Sequence, residues 1–174
     1  MAALELRRAT PADAATIAGL QVRGSDWAYR ALLPPNPLPA EERLAQRTRV
    51  WLTGLAPDGE RRSFLAEEDG VALGFVTCGS AEDAGLVATG EVFAIYLEPH
   101  AVGRGVGRAL FAHAVADLTA RGFHDAVLWV LEGNERARRF YERAGWATDG
   151  ARKDYERNGA LRHEVRYRSP LGCA

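Results

Sequence analysis

Three glycines within five residues, Gly103-Arg104-Gly105-Val106-Gly107, are the stretch of this sequence best equipped for chemistry. They follow an apolar, aromatic run, Glu91-Val92-Phe93-Ala94-Ile95-Tyr96-Leu97, which Pro99 stops, and they precede apolar residues at helical spacing. Glycine lacks a Cβ, so its backbone N–H can approach a ligand closely. The first N–H groups of a helix have no internal partner and sit at the positive end of its dipole. A strand, a glycine turn and a helix start in that order make an anion site suited to a pyrophosphate. Arg104 and Arg108 add charge at the same end.

Three kinds of phosphate turn compete for this pattern. A Walker A loop needs Gly-Lys-Ser/Thr, and the only lysine is Lys153. A dinucleotide fingerprint needs GxGxxG, whereas Gly105-Val106-Gly107 is followed by Arg108-Ala109-Leu110. Asp125 lies at about the right distance for a ribose contact but precedes the next strand instead of ending it. The third kind is a coenzyme A pyrophosphate turn. Its plain alternative is a glycine-rich helix start that binds nothing, because short glycine motifs are weak signals.

The elements around the turn follow from periodicity. Leu4 to Arg7 alternates as a short strand, and Thr10-Pro11-Ala12-Asp13 opens a helix that Gly24-Ser25 weakens and Leu33 to Pro37 ends. A second helix is expected from about Glu41 to Leu52. Strands at Ser63–Glu67 and Val71–Cys78 flank the hairpin signal Glu68-Asp69-Gly70. A third strand, Thr89–Leu97, leads into the turn and a helix from about Gly105 to Arg121, terminated by Gly122. The continuous apolar run Ala126–Leu131 reads as a strand buried on both faces. A short helix from Asn134 to Ala144 follows, then strands near Trp146–Tyr155 and Leu161–Arg168 around the Asn158-Gly159 turn. The expected fold is α/β (α+β): about seven strands and four helices in the order β-α-α-β-β-β-α-β-α-β-β, as one domain over residues 1–174.

Composition narrows the function. The 174 residues are 47% hydrophobic and 26% charged, and the net charge is −1, so no global field draws nucleic acid or an anionic membrane. Cys78 and Cys173 show neither CxxC nor Cys/His spacing, so neither a metal nor a disulfide framework is expected. With no long apolar stretch, the expected location is the cytoplasm. His100 and His113 read as surface residues, and the Arg136-Arg138-Arg139 cluster reads as a solvated helix face.

Two segments together resemble the GNAT superfamily of acetyl-CoA-dependent N-acetyltransferases. Its cofactor motif, Gln/Arg-x-x-Gly-x-Gly/Ala, is similar to Val102-Gly103-Arg104-Gly105-Val106-Gly107, with Val102 replacing the polar first residue. Its second motif resembles Asn134-Glu135-Arg136-Ala137-Arg138-Arg139-Phe140-Tyr141-Glu142-Arg143-Ala144-Gly145-Trp146, where the last aromatic is Trp in place of Phe. This resemblance implies a mostly antiparallel central sheet and direct attack of an amine on the acetyl-CoA thioester.

The resemblance also implies roles. Backbone groups of Ile95, Tyr96 and Leu97 would hold the pantetheine arm and the thioester carbonyl, and residues 102–108 would hold the diphosphate. Asn134 would sit near the arm, a role compatible with capping its helix. Tyr141 would protonate the leaving thiolate, against the plain alternative of a core aromatic beside Phe140. Glu91 would accept the ammonium proton through a water, against that of a solvated strand-end carboxylate; Glu98 is a weaker rival. Asp26, Trp27 and Tyr29 fall where relatives line the acceptor site, with helix packing as the competing explanation. The acceptor would be a small-molecule or protein amine, and exposed strands near the C-terminus are compatible with a homodimer. A non-catalytic acyl-CoA-binding sensor or regulatory module is the alternative function.

Overall fold

The computed structural model describes residues 3–83 and 85–172. Its elements follow the expected order: β1 (Glu5–Arg8), α1 (Ala14–Tyr29), α2 (Ala40–Gly54), β2 (Arg62–Glu68), β3 (Val71–Ser80), β4 (Thr89–Leu97), α3 (Val106–Ala120), β5 (Asp125–Leu131), α4 (Glu135–Arg143), β6 (Ala147–Arg157) and β7 (Ala160–Pro170). They build a seven-stranded sheet ordered β1-β2-β3-β4-β5-β7-β6. β4 and β5 run parallel, and the other neighbours pair antiparallel.

Strand alternation divides the core between two faces. Phe64, Ala66, Val76 and Cys78 join Val106, Leu110, Phe111 and Ala114 of α3 and Tyr141 of α4. The intervening Leu65 and Phe75 join Ile17 and Leu20 of α1 on the opposite face. Ala126, Val127 and Leu128 of β5 are buried on both faces, as their unbroken apolar run predicts. α2 buries no residue fully. It is tied to α1 by Trp51, whose Nε1–H donates to Gln21 Oε1 at 2.9 Å.

One sequence expectation is corrected on α1. Gly24-Ser25 does not weaken the helix, which continues to Tyr29. Gly24 is where α1 crosses β4: a Cβ there would lie 3.0 Å from the Leu97 carbonyl oxygen. Close helix–strand packing, not a break, explains that glycine.

The feature that positions the site is a parting of strands. β4 and β5 pair only at Thr89↔Asp125, Gly90↔Ala126 and Glu91↔Val127. On the other side of β4, Thr77 faces Ala94 and Cys78 faces Val92, so Phe93 is an extra, unopposed residue. Such a bulge bends its strand. β4 therefore leaves β5 directly after Glu91, and the sheet opens toward the C-terminal ends of both strands.

β3 holds the bent strand from behind, and Gly74 is the closest approach. A Cβ on Gly74 would lie 2.8 Å from the Tyr96 carbonyl oxygen and collide with the Leu97 side chain. Gly74→Ala is expected to lower the unfolding free energy by about 1–3 kcal/mol, seen as a lower urea midpoint at constant m-value. An unchanged midpoint would mean that β3 and β4 can separate here at little cost.

Candidate active site

The turn after β4 leaves its amides free. Gly103 and Gly105 have φ of 83° and 87°, the left-handed region that glycine adopts without strain. Gly105 is the N-cap of α3 and has no side chain to cap it. Helical bonding starts only at Ala109 N–H, which donates to the Gly105 carbonyl at 3.0 Å. Among the described residues, no backbone acceptor takes the N–H groups of Gly103, Gly105, Val106, Gly107 or Arg108. A Cβ added at Gly103 or Gly105 would meet nothing within 4 Å, so the space above both is open. The charge expected from Arg104 is partly neutralised, because its guanidinium pairs with Glu68 at 2.7 Å; Arg108 is exposed.

From this turn a cleft of about 420 Å³ runs into the gap between β4 and β5. Val102 and Gly107 line one end, Ile95, Tyr96 and Leu97 line the β4 side, and Asn134 and Tyr141 line the far wall. Beyond Glu91, the edge of β4 that faces β5 has no ladder partner. Its peptide groups can therefore pair with a linear ligand that carries amides, as an added strand would. Asn134 caps α4, its Oδ1 accepting from Ala137 N–H at 3.2 Å, and also faces the cleft.

Tyr141 is 7% exposed and packed among Phe111, Phe140 and Tyr167. Burial, with a smaller contribution from Tyr96, raises its phenol above an ordinary value that already lies well above neutral pH. Core packing and a position on the cleft thus hold at once. Tyr29 and Tyr96 also line the cleft, and their hydroxyls are 3.3 Å apart.

The carboxylates separate in an unexpected way. Glu91 is 7% exposed and accepts Glu82 N–H at 3.3 Å. Burial raises its carboxyl above the usual range. It occupies the last paired rung of β4 and β5, just below the opening, and is not among the side chains lining the cleft. Glu98 is held by Arg23, whose Nε–H donates at 2.9 Å. Glu164 of β7 does line the cleft, raised by burial and 3.6 Å from Lys153. Nothing in the sequence singled it out; the pairing of Glu164 with Leu131 brings it there.

The three acceptor-side expectations also divide. Trp27 and Tyr29 line the cleft. Asp26 does not; it accepts from both Nη atoms of Arg43 at 2.6 and 2.8 Å and so ties α1 to α2. The arginine cluster of α4 is not a single solvated face. Arg139 pairs with the exposed Glu135 in the expected manner. Arg138 donates to the Tyr167 hydroxyl and the Glu132 carbonyl, each at 3.1 Å. Arg136 lines the cleft and lies 4.2 Å over the Trp27 ring. His113 is also drawn inward, edge-on to Phe64 at 4.5 Å. Burial pushes the Cys78 thiol up to about 12, which leaves it unreactive; Cys173 lies outside the described residues. Among the described residues, no helix is long and apolar enough to cross a membrane, and no group of three His, Cys, Asp or Glu could hold a metal ion.

Comparison with known proteins places this geometry. Residues 26–146 match the family model described as the acetyltransferase (GNAT) family. The chain is 30% identical over 139 residues to phosphinothricin N-acetyltransferase of Streptomyces coelicolor, covering 78% of each protein. It is 39% identical over 85 residues to mycothiol acetyltransferase of Streptomyces avermitilis, a match covering 49% of this chain and only 27% of that longer relative. The PaiA N-acetyltransferase of Thermoplasma acidophilum, solved with coenzyme A, has the same fold, with a TM-score of 0.72 at 15% identity over 97% of this chain and 99% of that one. The uncapped glycine turn and the Asn134-to-Trp146 segment both lie within the matched residues, and the chain belongs to the GNAT family of acetyltransferases.

Proposed function

We propose that this protein transfers an acetyl group from acetyl-CoA to a primary amine by direct attack within a ternary complex. The observation that carries this reading is the row of unpartnered amides at the start of α3, opening onto a cleft that reaches Tyr141. Acetyl transfer is the activity in the names of both curated relatives. The amides of Gly103, Gly105, Val106, Gly107 and Arg108 suit the diphosphate of coenzyme A, and the free edge of Ile95 to Leu97 suits the two amides of its pantetheine arm. Val102 contributes backbone and an apolar wall here, with no side-chain donor.

The chemistry then needs three things of the chain. The amine must lose a proton, the carbonyl oxygen needs donors as the C–N bond forms, and the thiolate needs an acid as the C–S bond breaks. Peptide N–H groups on the open edge of β4 supply the donors. Tyr141 supplies the acid: a phenol carries its proton at neutral pH, and burial raises Tyr141 above the ordinary value. Glu91 takes the ammonium proton through a water; its raised carboxyl pKa brings it nearer to the working pH of a general base. Glu164 is the rival base, favoured by its place on the cleft wall.

Three outcomes test this. Gly105→Ala places a side chain at a φ of 87°, a strain of about 1–2 kcal/mol. Its methyl would also stand over the amides, so calorimetry should show coenzyme A binding weakened about tenfold or more. Tyr141→Phe should lower kcat for thiol release by roughly a hundredfold or more, with the KM for acetyl-CoA little changed. The acid limb of the kcat/KM profile should lie above the ordinary glutamate range, because activity falls as the base protonates, and Glu91→Gln should abolish that limb. If Glu164→Gln abolishes it instead, Glu164 is the base. Coenzyme A binding without turnover of any amine would make the protein a sensor.

A further inference from the structure

We infer that the acceptor is an amine that also carries an oxyanion, and that Arg43, Arg47 and Arg157 receive that oxyanion. This inference rests on the acetyl-transfer reading above. The observation behind it is a second cavity, of about 330 Å³, between the α1–α2 pair and the end of β6. The three arginines line it together with Tyr96, Tyr155 and Glu156. Tyr96 also lines the acetyl-CoA cleft, so one ring forms a wall of both spaces.

The cavity holds more positive charge than it neutralises. Among the described residues, Arg47 and Arg157 form no ion pair. Arg157 donates to the Tyr155 hydroxyl at 3.5 Å and lies 5.5 Å over the Tyr29 ring. Arg43 gives both Nη atoms to Asp26, yet its Nε is buried with no hydrogen-bond partner. Its side chain is 14% exposed, and Arg157 is close enough to oppose its charge. Glu156 is the one carboxylate in the lining and pairs with none of the three. Arg47 and Arg157 without acidic partners, beside the charge of Arg43, are unfavourable until an anion enters. Guanidinium forks take carboxylate and phosphonate oxygens alike. The same charge repels an amine that has no anion, which makes the cavity selective as well as attractive.

An amine anchored there would reach the thioester past the Tyr29–Tyr96 pair, whose hydroxyls are 3.3 Å apart. Tyr29 lies close enough to Tyr96, Tyr155 and Tyr141 to feel all three, and Tyr96 lines both the arginine cavity and the cleft that holds Tyr141.

The test begins with calorimetry of coenzyme A. Thiol release from acetyl-CoA is then measured with matched acceptors: free amino acids, their amides, the corresponding decarboxylated amines and aminoalkylphosphonates. The carboxylate and phosphonate members should exceed the amides and simple amines by about tenfold or more in kcat/KM. Arg157→Gln should raise the acceptor KM by about tenfold while the coenzyme A Kd stays constant, with partial recovery in Arg157→Lys. Preference for the phosphonate over the carboxylate would identify which oxyanion is taken. Equal use of charged and neutral amines overturns this inference and leaves acetyl transfer standing, and so does an Arg157→Gln effect confined to coenzyme A. Coenzyme A binding with no turnover of any anionic amine overturns it too. Failure to bind coenzyme A at all removes the acetyl-transfer reading and this one with it.

Discussion

The separation of β4 from β5 after three paired residues is the constraint on which the rest of the molecule depends. A parallel pair that stayed zipped would leave no gap, and its peptide groups would satisfy each other. Here the extra residue Phe93 bends β4 against β3 immediately beyond the last rung. Beyond that rung the β4 edge facing β5 has no ladder partner and is free to pair as an added strand would.

The helix that follows extends the same logic. α3 begins on glycine, so its first amides are neither capped by a side chain nor shielded by one. Unsatisfied amides at the mouth and an unpaired strand edge along the wall form one continuous surface of donors and acceptors. Tyr141 meets it from α4, with its ring packed in the core and its position on the cleft wall. The same side chain packs α4 against α3 through Phe111 and lines the cleft. Burial raises its phenol further above the ordinary value, so the packing of the ring also sets its acidity.

The region around α2 is built differently. α2 contributes no fully buried residue and is held on α1 by polar contacts: Trp51 to Gln21 and Arg43 to Asp26. That loosely apolar junction leaves a polar hollow, and β6 sends Tyr155 and Arg157 to its other side. A helix with no fully buried residue can exchange residues on its inner face with little effect on the core. The hollow beside α2 is thus separable from the glycine turn and the open edge of β4.

Local patterning was enough to set the order and type of the elements and to locate the glycine turn, because period-two and helical spacings, proline stops and glycine turns act over a few residues. The Asn134 cap and the depth of β5 were legible on the same local grounds. Tertiary structure alone decided what depends on distant segments meeting. Gly24 read as a helix breaker until its contact with the Leu97 carbonyl was visible. Asp26 had no visible partner until α2 brought Arg43 beside it. Arg136 belonged to a charged run until Trp27 came to lie beneath it. Glu164 acquired a place on the cleft only through the register of β7 on β5. Burial sets which way a carboxyl or phenol shifts from its ordinary pKa, and burial is a property of everything around a residue, which neighbours in the chain do not encode.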